Sequence, residues 1–354
     1  MCFYFFLCIE CSQALNQQEG EHLYDLVCMC LIFVSCFVKM EWNGTMVLSL
    51  GGYVEIEKYR YVYLMFFMAL YVLILCCNCV IICVIWIHRT LHEPMYIFIA
   101  ALSLNSLVFS TVIYPKLIVD VLSQQQTVSY YDCLVQIFLF YSLAGSDLML
   151  LTAMAYDRFV SICRPLQYAT TMSKTAVRRF LALAWFWPTC HLVIVTILQS
   201  KQKLCNFILG GIFCNTTMIK IHCTTPMYLS VWSLISLINT SLIPMLFILF
   251  TYIKIFTVIY HSHGEVRKKA IDTCLPHLIV LLSFFCLLVF DFAIGLLELV
   301  LPKTVRLIMS LQIVVYNPLF NPIIYGWKMK EIWKPVKRML FCCNHDELIK
   351  TQVE

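Results

Sequence analysis

Charged side chains are scarce in this chain. Only 13% of its 354 residues are Asp, Glu, Lys or Arg, whereas soluble globular domains carry roughly 25%. Hydrophobic residues make up 61% of the sequence. This composition excludes an ordinary soluble domain and indicates an integral membrane protein.

Catalytic motifs are also missing. The sequence contains no G-x-S-x-G nucleophile motif, no H-E-x-x-H zinc motif and no Gly-rich phosphate loop. It has no low-complexity tract and no internal repeat beyond the succession of apolar segments. We therefore expect a protein that is not an enzyme and that needs no organic cofactor.

Seven apolar segments have about the length of 20 residues that crosses a bilayer. They predict an all-α membrane protein, a seven-transmembrane-helix bundle, with spans at residues 61–87, 96–119, 134–160, 180–198, 227–255, 274–297 and 305–325. If the first span runs from outside to inside, most of the 25 Lys and Arg residues lie on the cytoplasmic side, as expected for such proteins. We predict a multi-pass plasma-membrane protein with its N-terminus outside. The net charge of +5 then reflects topology, and no nucleic-acid partner is expected beside the lipid bilayer.

The segment before the first span does not follow this pattern. Residues 26–38 are apolar but too short to span, and the flank before them is acidic, unlike that of a secretory signal. We predict that residues 1–39 are an upstream extension of the reading frame, with a signal-like segment as the alternative. Residues 40–60 would form the extracellular N-terminus, 61–327 the seven-helix domain, and 328–354 an amphipathic helix and cytoplasmic tail. Asn43 is a glycosylation acceptor in this N-terminus.

Four of the 20 cysteines are expected on the outer side: Cys133 at the start of the third span, and Cys205, Cys214 and Cys223 in the loop between the fourth and fifth. In an oxidising compartment these four permit three pairings. A metal site is the alternative, but the loop has no C-x-x-C pair and its one histidine is His222. Asn215 in the same loop is a second glycosylation acceptor.

The run MAYDRFVSICRPLQY, residues 154–168, ends the third span. A charged side chain at the end of a membrane span is costly in free energy, so its presence there indicates a functional role. The run resembles the third-helix signature of odorant receptors, a branch of the rhodopsin-like G-protein-coupled receptors, and departs from the usual MAYDRYVAIC at Phe159 and Ser161. Residues 269–277 resemble the KAxxTCxxH start of the sixth helix, residues 318–325 resemble the PxxNPxIY end of the seventh, and the fish-type branch is the most similar.

The resemblance implies a mechanism. Members bind a small organic odorant inside the bundle and activate a stimulatory, olfactory-type heterotrimeric G protein. On activation the sixth helix swings outward and a cavity opens beside the arginine of the third helix. The residues that match the family's switch are Asp157, Arg158, Tyr252, Asn321, Pro322 and Tyr325. The resemblance also implies bridges between Cys133 and Cys214 and between Cys205 and Cys223.

A ligand pocket is expected between the outer halves of the third, fifth and sixth helices. Helical spacing groups its candidate lining residues on shared faces: Phe140, Tyr141, Ala144, Ser236, Thr240, Phe285, Leu288 and Phe292. Such a pocket is largely apolar with a few hydroxyls, which suits a small organic molecule. The same residue types also serve ordinary helix packing.

Asp147 lies about three helical turns before Arg158 and matches the acidic ion-binding position of the resembled family. The usual second-helix Asp is replaced by Ser106, next to Asn105. Two interpretations stay open. Asp147 and Asn78 bind a sodium ion, or Asp147 takes part in structural hydrogen bonding.

The segment after the seventh span, residues 328–341, alternates apolar residues with lysines at helical spacing. It predicts a short amphipathic eighth helix at the membrane surface. Cys342 and Cys343 follow as palmitoylation sites. Two alternatives to an odorant receptor are a rhodopsin-like receptor for a non-odour metabolite and a seven-span transporter, whose midplane charge would have to be Asp147.

Overall fold

The computed structural model describes residues 46–261, 264–297, 301–329 and 331–337. Several predicted features lie outside these residues: the segment 1–39, the acceptor Asn43, and the tail cysteines Cys342 and Cys343. The architecture described below belongs to one compact unit, Val47–Glu354.

Seven helices follow one another in the predicted order. They are α1 (Ile56–Ile87), α2 (Pro94–Leu122), α3 (Tyr130–Cys163), α4 (Lys174–Ser200), α5 (Met227–His261), α6 (Glu265–Leu297) and α7 (Lys303–Lys328). Six of them are long and apolar enough to cross a membrane, and the described part of α6 contains the shorter apolar stretch Cys274–Phe290. The predicted seven-helix bundle is therefore confirmed.

A short eighth helix, α8 (residues 331–337), follows α7 after a break at Met329. Met329 and Ile332 are buried against the bundle, whereas Trp333 is 40% exposed and Lys334 and Lys337 lie outside. The predicted amphipathic character is present over the described residues 331–337.

Local sequence explains where several helices begin. Ser129 precedes α3 and its side chain accepts a hydrogen bond from the backbone N–H of Asp132 (3.4 Å). Ser173 caps α4 in the same way. Pro94 opens α2, a position where its missing N–H costs nothing. These caps satisfy backbone groups that a helix end leaves unpaired.

The third helix is the centre of the bundle. In its most apolar stretch 72% of the residues are buried inside the protein, against 17% in α4 and 33% in α1 and α5. The exposed sides of α1, α4 and α5 are apolar, as a lipid-facing surface requires. We name the two ends of the bundle after α3: the Cys133 end, where it begins, and the Arg158 end, where it finishes.

Apolar side chains form two large clusters inside the bundle. The Arg158-end core includes Leu151, Tyr252, Ile255, Tyr325 and Ile332. The Cys133-end core includes Phe67, Phe109, Tyr114, Phe140 and Leu287. Each half of the bundle therefore has its own packing, which allows the two ends to respond to different partners.

A three-stranded sheet lies at the Cys133 end. Its strands are β1 (Val47–Leu50), β2 (Thr127–Ser129) and β3 (Ile208–Leu209), in the order β2-β1-β3. β1 pairs antiparallel with β2, with Leu48 opposite Val128, and parallel with β3. Leu48 and Leu50 alternate with exposed residues and are buried beneath the sheet. The strand β1 lies within residues 40–60, the predicted N-terminal segment, and α1 begins at Ile56, five residues before the predicted first span.

Two glycines are required where the helices and the sheet approach one another closely. A Cβ on Gly52 would lie 2.4 Å from the carbonyl carbon of Gly211, beside the hydrogen bond from Gly52 N to Gly211 O (3.1 Å). A Cβ on Gly145 in α3 would lie 2.7 Å from Cβ of Pro188 in α4. Both distances are too short for any other residue unless backbones move apart.

We expect Gly145→Ala to lower the free energy of unfolding of the protein by about 1–3 kcal/mol, because the added methyl forces α3 and α4 apart at a rigid proline ring. The measurement is the unfolding midpoint of the detergent-solubilised protein. Gly326→Ala is the matched control, since its Cβ would meet only the flexible end of Ile81, at 3.3 Å. Equal midpoints for the two variants would contradict this account of α3 and α4.

Candidate functional site

The Asp157–Arg158 pair is tightly held at the Arg158 end. Arg158 Nε donates to Asp157 Oδ2 (2.9 Å), and Arg158 Nη2 donates to the same oxygen. The side chain of Asp157 is fully buried and that of Arg158 is 12% exposed. Each charge thus has its partner beside it, which a buried ion pair needs in order to be tolerated.

Tyr168 is a third member of this group. It lies in the helical turn Tyr168–Thr171 after α3, and its hydroxyl donates to Asp157 Oδ1 (2.8 Å). Burial, and then the nearby carboxylate of Asp157, raise the pKa of Tyr168, so the phenol stays protonated and remains a donor. Tyr168 was not among the site residues predicted from the sequence, although it is the last residue of the run MAYDRFVSICRPLQY.

The switch residues of α5 and α7 are buried near this pair. The Tyr252 hydroxyl is hydrogen-bonded to Nδ1 of His277 in α6, and the two rings are stacked with centroids 5.7 Å apart. Tyr325 in α7 is 1% exposed, and its hydroxyl has no hydrogen-bond partner among the described residues. The tyrosines of α5 and α7 therefore differ: one is bonded to α6, and the other is buried with its hydroxyl unpaired.

The proline joint of α7 is supported by α1. Pro322 has no N–H to donate to the carbonyl of Pro318, four residues earlier. Asn78 of α1 donates to that carbonyl instead (2.8 Å), and also to Ile74 O (2.9 Å). Asn321 beside the joint is buried, at 4% exposure. Asn78 thus satisfies the backbone group that the proline leaves free.

Asp147 belongs to a polar network that joins three helices. Asn105 of α2 donates to Asp147 Oδ1 (2.7 Å) and to Leu143 O (2.9 Å), and its Oδ1 accepts from Trp185 Nε1 of α4 (3.1 Å). Asn105 and Asp147 are nearly fully buried. Ser106 is buried too, and its hydroxyl has no partner in the described part of the chain. The prediction from the sequence named Asn105 only as the neighbour of Ser106, and it did not include Trp185.

The predicted pocket residues of α3 and α5 lie in the interior of the bundle. Phe140 is 3% exposed and packs against Tyr141, with ring centroids 4.9 Å apart. Ser236 and Thr240 are buried on α5, where the Thr240 hydroxyl donates to Ser236 O (2.8 Å). Ala144 is partly buried. These five residues are brought to the inner side of their helices, as a pocket requires.

Thr240 lies in a π-helical turn, Ile238–Leu242, just before Pro244. Pro244 cannot donate a backbone hydrogen bond, and the wider turn accommodates this gap. The wider turn changes which side chains of α5 face inward. Simple helical spacing does not predict it.

The prediction for Phe285 on α6 is wrong. Its side chain is 47% exposed, while Phe284 and Leu287 are buried at 4% and 6%. The residues of α6 that face the interior are therefore displaced by one position from the predicted residues. Leu288 is partly buried against the Arg158-end core, and the side chain of Phe292 lies outside the described residues.

Both cysteine pairs implied by the resemblance are bridged in the structure. Cys133 is joined to Cys214, and Cys205 to Cys223. Gln136 of α3 adds a further link, because its Oε1 accepts from Cys214 N (3.0 Å). All four cysteines are used in bridges, which removes the metal alternative at this site.

Asn215 is not a usable glycosylation site in the folded protein. It is 1% exposed, and its Oδ1 accepts hydrogen bonds from the N–H (3.1 Å) and hydroxyl (2.7 Å) of Thr217. Its amide nitrogen is also buried. A glycan on this nitrogen has no space, so the prediction is corrected here.

These features together define a class of protein. A seven-helix bundle, an Asp-Arg pair at the end of α3, a proline joint in α7 and a bridge from α3 to the following loop are the features of a rhodopsin-like G-protein-coupled receptor.

Comparison with known proteins agrees and narrows the class. The family model for the olfactory receptor matches residues 67–343. The chain is 32% identical to human olfactory receptor 14J1 over 82% of its own length and 91% of that protein. It is 30% identical to mouse olfactory receptor 4M1, over 83% and 95% of the two chains, and 31% identical to rat olfactory receptor-like protein I9, over 80% and 90%.

The chain belongs to the olfactory receptor family. It is an odorant G-protein-coupled receptor, a multi-pass membrane protein and not an enzyme. Membership in this family sets aside the transporter alternative. The relation to the fish-type branch stays a prediction.

We expect Cys133→Ala and Cys214→Ala to reduce surface expression equally, and the double variant to be no worse than either single one. Each change removes the same bridge, which is worth about 2–5 kcal/mol. Surface staining of intact cells measures the effect. Cys190→Ala, an exposed free cysteine of α4, is the control and should stain as the parent does. A double variant clearly worse than both singles would contradict the pairing.

Proposed function

We propose that this odorant receptor binds a small organic ligand in the Cys133 half of the bundle and activates a stimulatory, olfactory-type G protein at the Arg158 end. The receptor would act in the plasma membrane with its N-terminus outside. The observation that carries the proposal is the closed group formed by Arg158, Asp157 and Tyr168 at the end of the central helix.

The side chains of the Cys133 half suit an organic ligand. Phe140 and Tyr141 supply apolar area, and the Thr240 and Ser236 hydroxyls supply a small number of polar atoms. Pockets of this composition hold small molecules by shape and one or two hydrogen bonds. The apolar lining favours ligands with a hydrocarbon body.

The distribution of basic residues supports the orientation. Arg89, Arg164, Lys174 and Arg179 all lie in or beside the loops at the Arg158 end. Cytoplasmic loops carry such an excess. The two disulfides lie at the other end, which suits an oxidising, extracellular compartment.

In this proposal, the group formed by Arg158, Asp157 and Tyr168 belongs to the resting state of the receptor. Nε and Nη2 of Arg158 donate to one carboxylate oxygen of Asp157, and the Tyr168 hydroxyl donates to the other. The unpaired hydroxyl of Tyr325 favours a second packing, because a buried hydroxyl without a partner costs about 1–3 kcal/mol. A ligand that binds the second packing more tightly shifts the population toward it. Arg158 is then released to contact the G protein.

We expect Arg158→Ala to reduce ligand-stimulated cyclic AMP output to the background level while surface expression and ligand binding persist, since Arg158 lies at the end opposite the pocket. Arg164→Ala is the matched control: this arginine directly follows α3, but it is exposed, and its guanidinium lies over the ring of Phe159. It should signal as the parent does at equal surface staining. Normal signalling by Arg158→Ala would refute the coupling mechanism.

We also propose that Asp147 has a structural role and binds no sodium ion. Its Oδ1 accepts a hydrogen bond from Asn105. The amide nitrogen of Asn78, the other candidate ligand, donates to backbone carbonyls of α1 and α7, and its Oδ1 has no hydrogen-bond partner among the described residues. Ser106 in place of the usual aspartate removes one carboxylate from the site. A lone carboxylate attracts the ion less strongly than a pair does.

Agonist binding should therefore be flat in a sodium titration that keeps ionic strength constant with choline, in the parent and in Asp147→Asn. Asn105→Ala should destabilise the protein by about 1–3 kcal/mol, because it leaves both Asp147 and Trp185 without a partner. Trp185→Phe breaks one bond of the same network and should cost less. A sodium-dependent parent whose dependence disappears in Asp147→Asn would show that the ion binds there.

A further inference from the structure

A histidine in the segment between α4 and α5 is buried against the ends of two helices. His222 directly follows the 3₁₀-helical segment Thr216–Ile221 and is 8% exposed. Its Nε2 lies 3.3 Å from the hydroxyl of Tyr130, the first residue of α3. That hydroxyl also donates to the backbone carbonyl of Gln199, near the end of α4 (2.9 Å). A single phenol therefore connects this histidine to both α3 and α4.

We name His222, Tyr130 and Gln199 the His222 group. Two of its polar atoms, Nδ1 of His222 and Oε1 of Gln199, are buried and make no hydrogen bond with the described residues. Because the Tyr130 proton is directed to the Gln199 carbonyl, the phenol oxygen can accept from Nε2–H, and Nδ1 is then the unprotonated nitrogen of a neutral ring. A second proton would enter at Nδ1, where the buried ring has no hydrogen-bonded acceptor for it.

The charged residues around this ring do not compensate for a second proton. Asp132, Lys201, Lys203 and Lys220 belong to the adjoining segments, and all four are exposed. In the described part of the chain no acidic side chain forms an ion pair with His222. Burial lowers the pKa of His222 below its ordinary value, and a nearby backbone carbonyl of the same segment opposes this only in part.

Apolar contacts complete the attachment of the segment to the bundle. Met218 and Ile221 are each 1% exposed and belong to one apolar cluster with Leu134 and Ile137 of α3. A short segment of this kind opens locally at a much lower cost than the whole bundle. The protonation state of one buried imidazole is therefore enough to change how often the segment leaves the helices.

We propose that the His222 group is a proton-sensitive switch: the neutral imidazole holds residues 216–223 against α3 and α4, and its protonation releases them. A histidine whose pKa is lower in the attached form favours attachment above its ordinary pKa, near 6.5, and this contribution is lost as the pH falls below that value. Histidine protonation can change a contact between protein segments in this way. The switch needs no ligand, so it does not depend on the proposed function.

The test is hydrogen–deuterium exchange of the full-length protein in lipid nanodiscs at about pH 7.5 and about pH 5.5, corrected for the intrinsic effect of pH on exchange. The reporters are the backbone N–H groups of Cys205 and Cys223, which donate to Ile221 O (2.8 Å) and Lys203 O (2.9 Å) beside His222. A ring that titrates near 6.5 only when released raises the released fraction about tenfold over this range. We therefore expect about tenfold faster corrected exchange at the lower pH.

Three variants separate this histidine from other titrating groups. His222→Gln keeps a polar side chain that takes up no proton, and its corrected exchange should be equal at the two pH values. His261→Gln is the matched control, because this histidine is exposed at the Arg158 end, and it should keep the parental increase. Tyr130→Phe removes the hydroxyl partner and should raise exchange at the higher pH. A parental increase that persists in His222→Gln would overturn the proposal.

A measurement on the parent alone decides the matter if His222→Gln does not fold. Exchange of the imidazole C2 hydrogen, followed over a range of pH, gives the pKa of each histidine separately. We expect His222 to titrate below its ordinary value in the folded protein. An ordinary pKa for His222, or corrected exchange of the Cys205 and Cys223 N–H groups that is the same at both pH values, would overturn the inference.

Discussion

The absence of water in the hydrocarbon core of a membrane is the constraint on which this structure depends. A buried polar group there must find its partner in another part of the protein. Two of the interhelical polar contacts illustrate this: Asn105 joins Asp147 to Trp185, and Asn78 satisfies the carbonyl that Pro322 leaves free. Because each amide side chain bonds across helices, these few groups fix how α1, α2, α3, α4 and α7 are arranged.

The same constraint explains how a stable bundle can still switch. In the proposed mechanism, the groups that change partners are the Arg158–Asp157–Tyr168 group and the pair formed by Tyr252 and His277. Each buried polar group needs a partner in both states, because an unpaired one is costly. The proposed ligand site and the proposed coupling site lie beside two different apolar cores.

The sequence predicted features that depend on local patterns and missed those that depend on distant pairings. Hydropathy placed all seven helices, and the motifs placed Arg158, Tyr252 and Tyr325 at one end of the bundle. The facing of α6 at Phe285 was wrong by one residue, because ideal helical spacing cannot register how neighbouring helices pack against it. The π-turn at Thr240, the buried state of Asn215 and the entry of Phe213 into the bundle all arise from tertiary contacts that leave no periodic signal. Tyr168 could have been predicted as a site residue, because it lies in the run 154–168 that resembles the third-helix signature.

The sheet at the Cys133 end has a consequence for the biogenesis of the receptor. β1 is the central strand and is synthesised first, but its partners β2 and β3 belong to residues 127–129 and 208–209. One edge of β1 remains unpaired until α2 has been made and the other until α4 has been made, and such edges invite association with other chains. Because its strands are far apart in the sequence, we expect this small sheet to form late in folding. Chains that stall before β3 emerges would be the ones retained by the quality-control machinery of the cell.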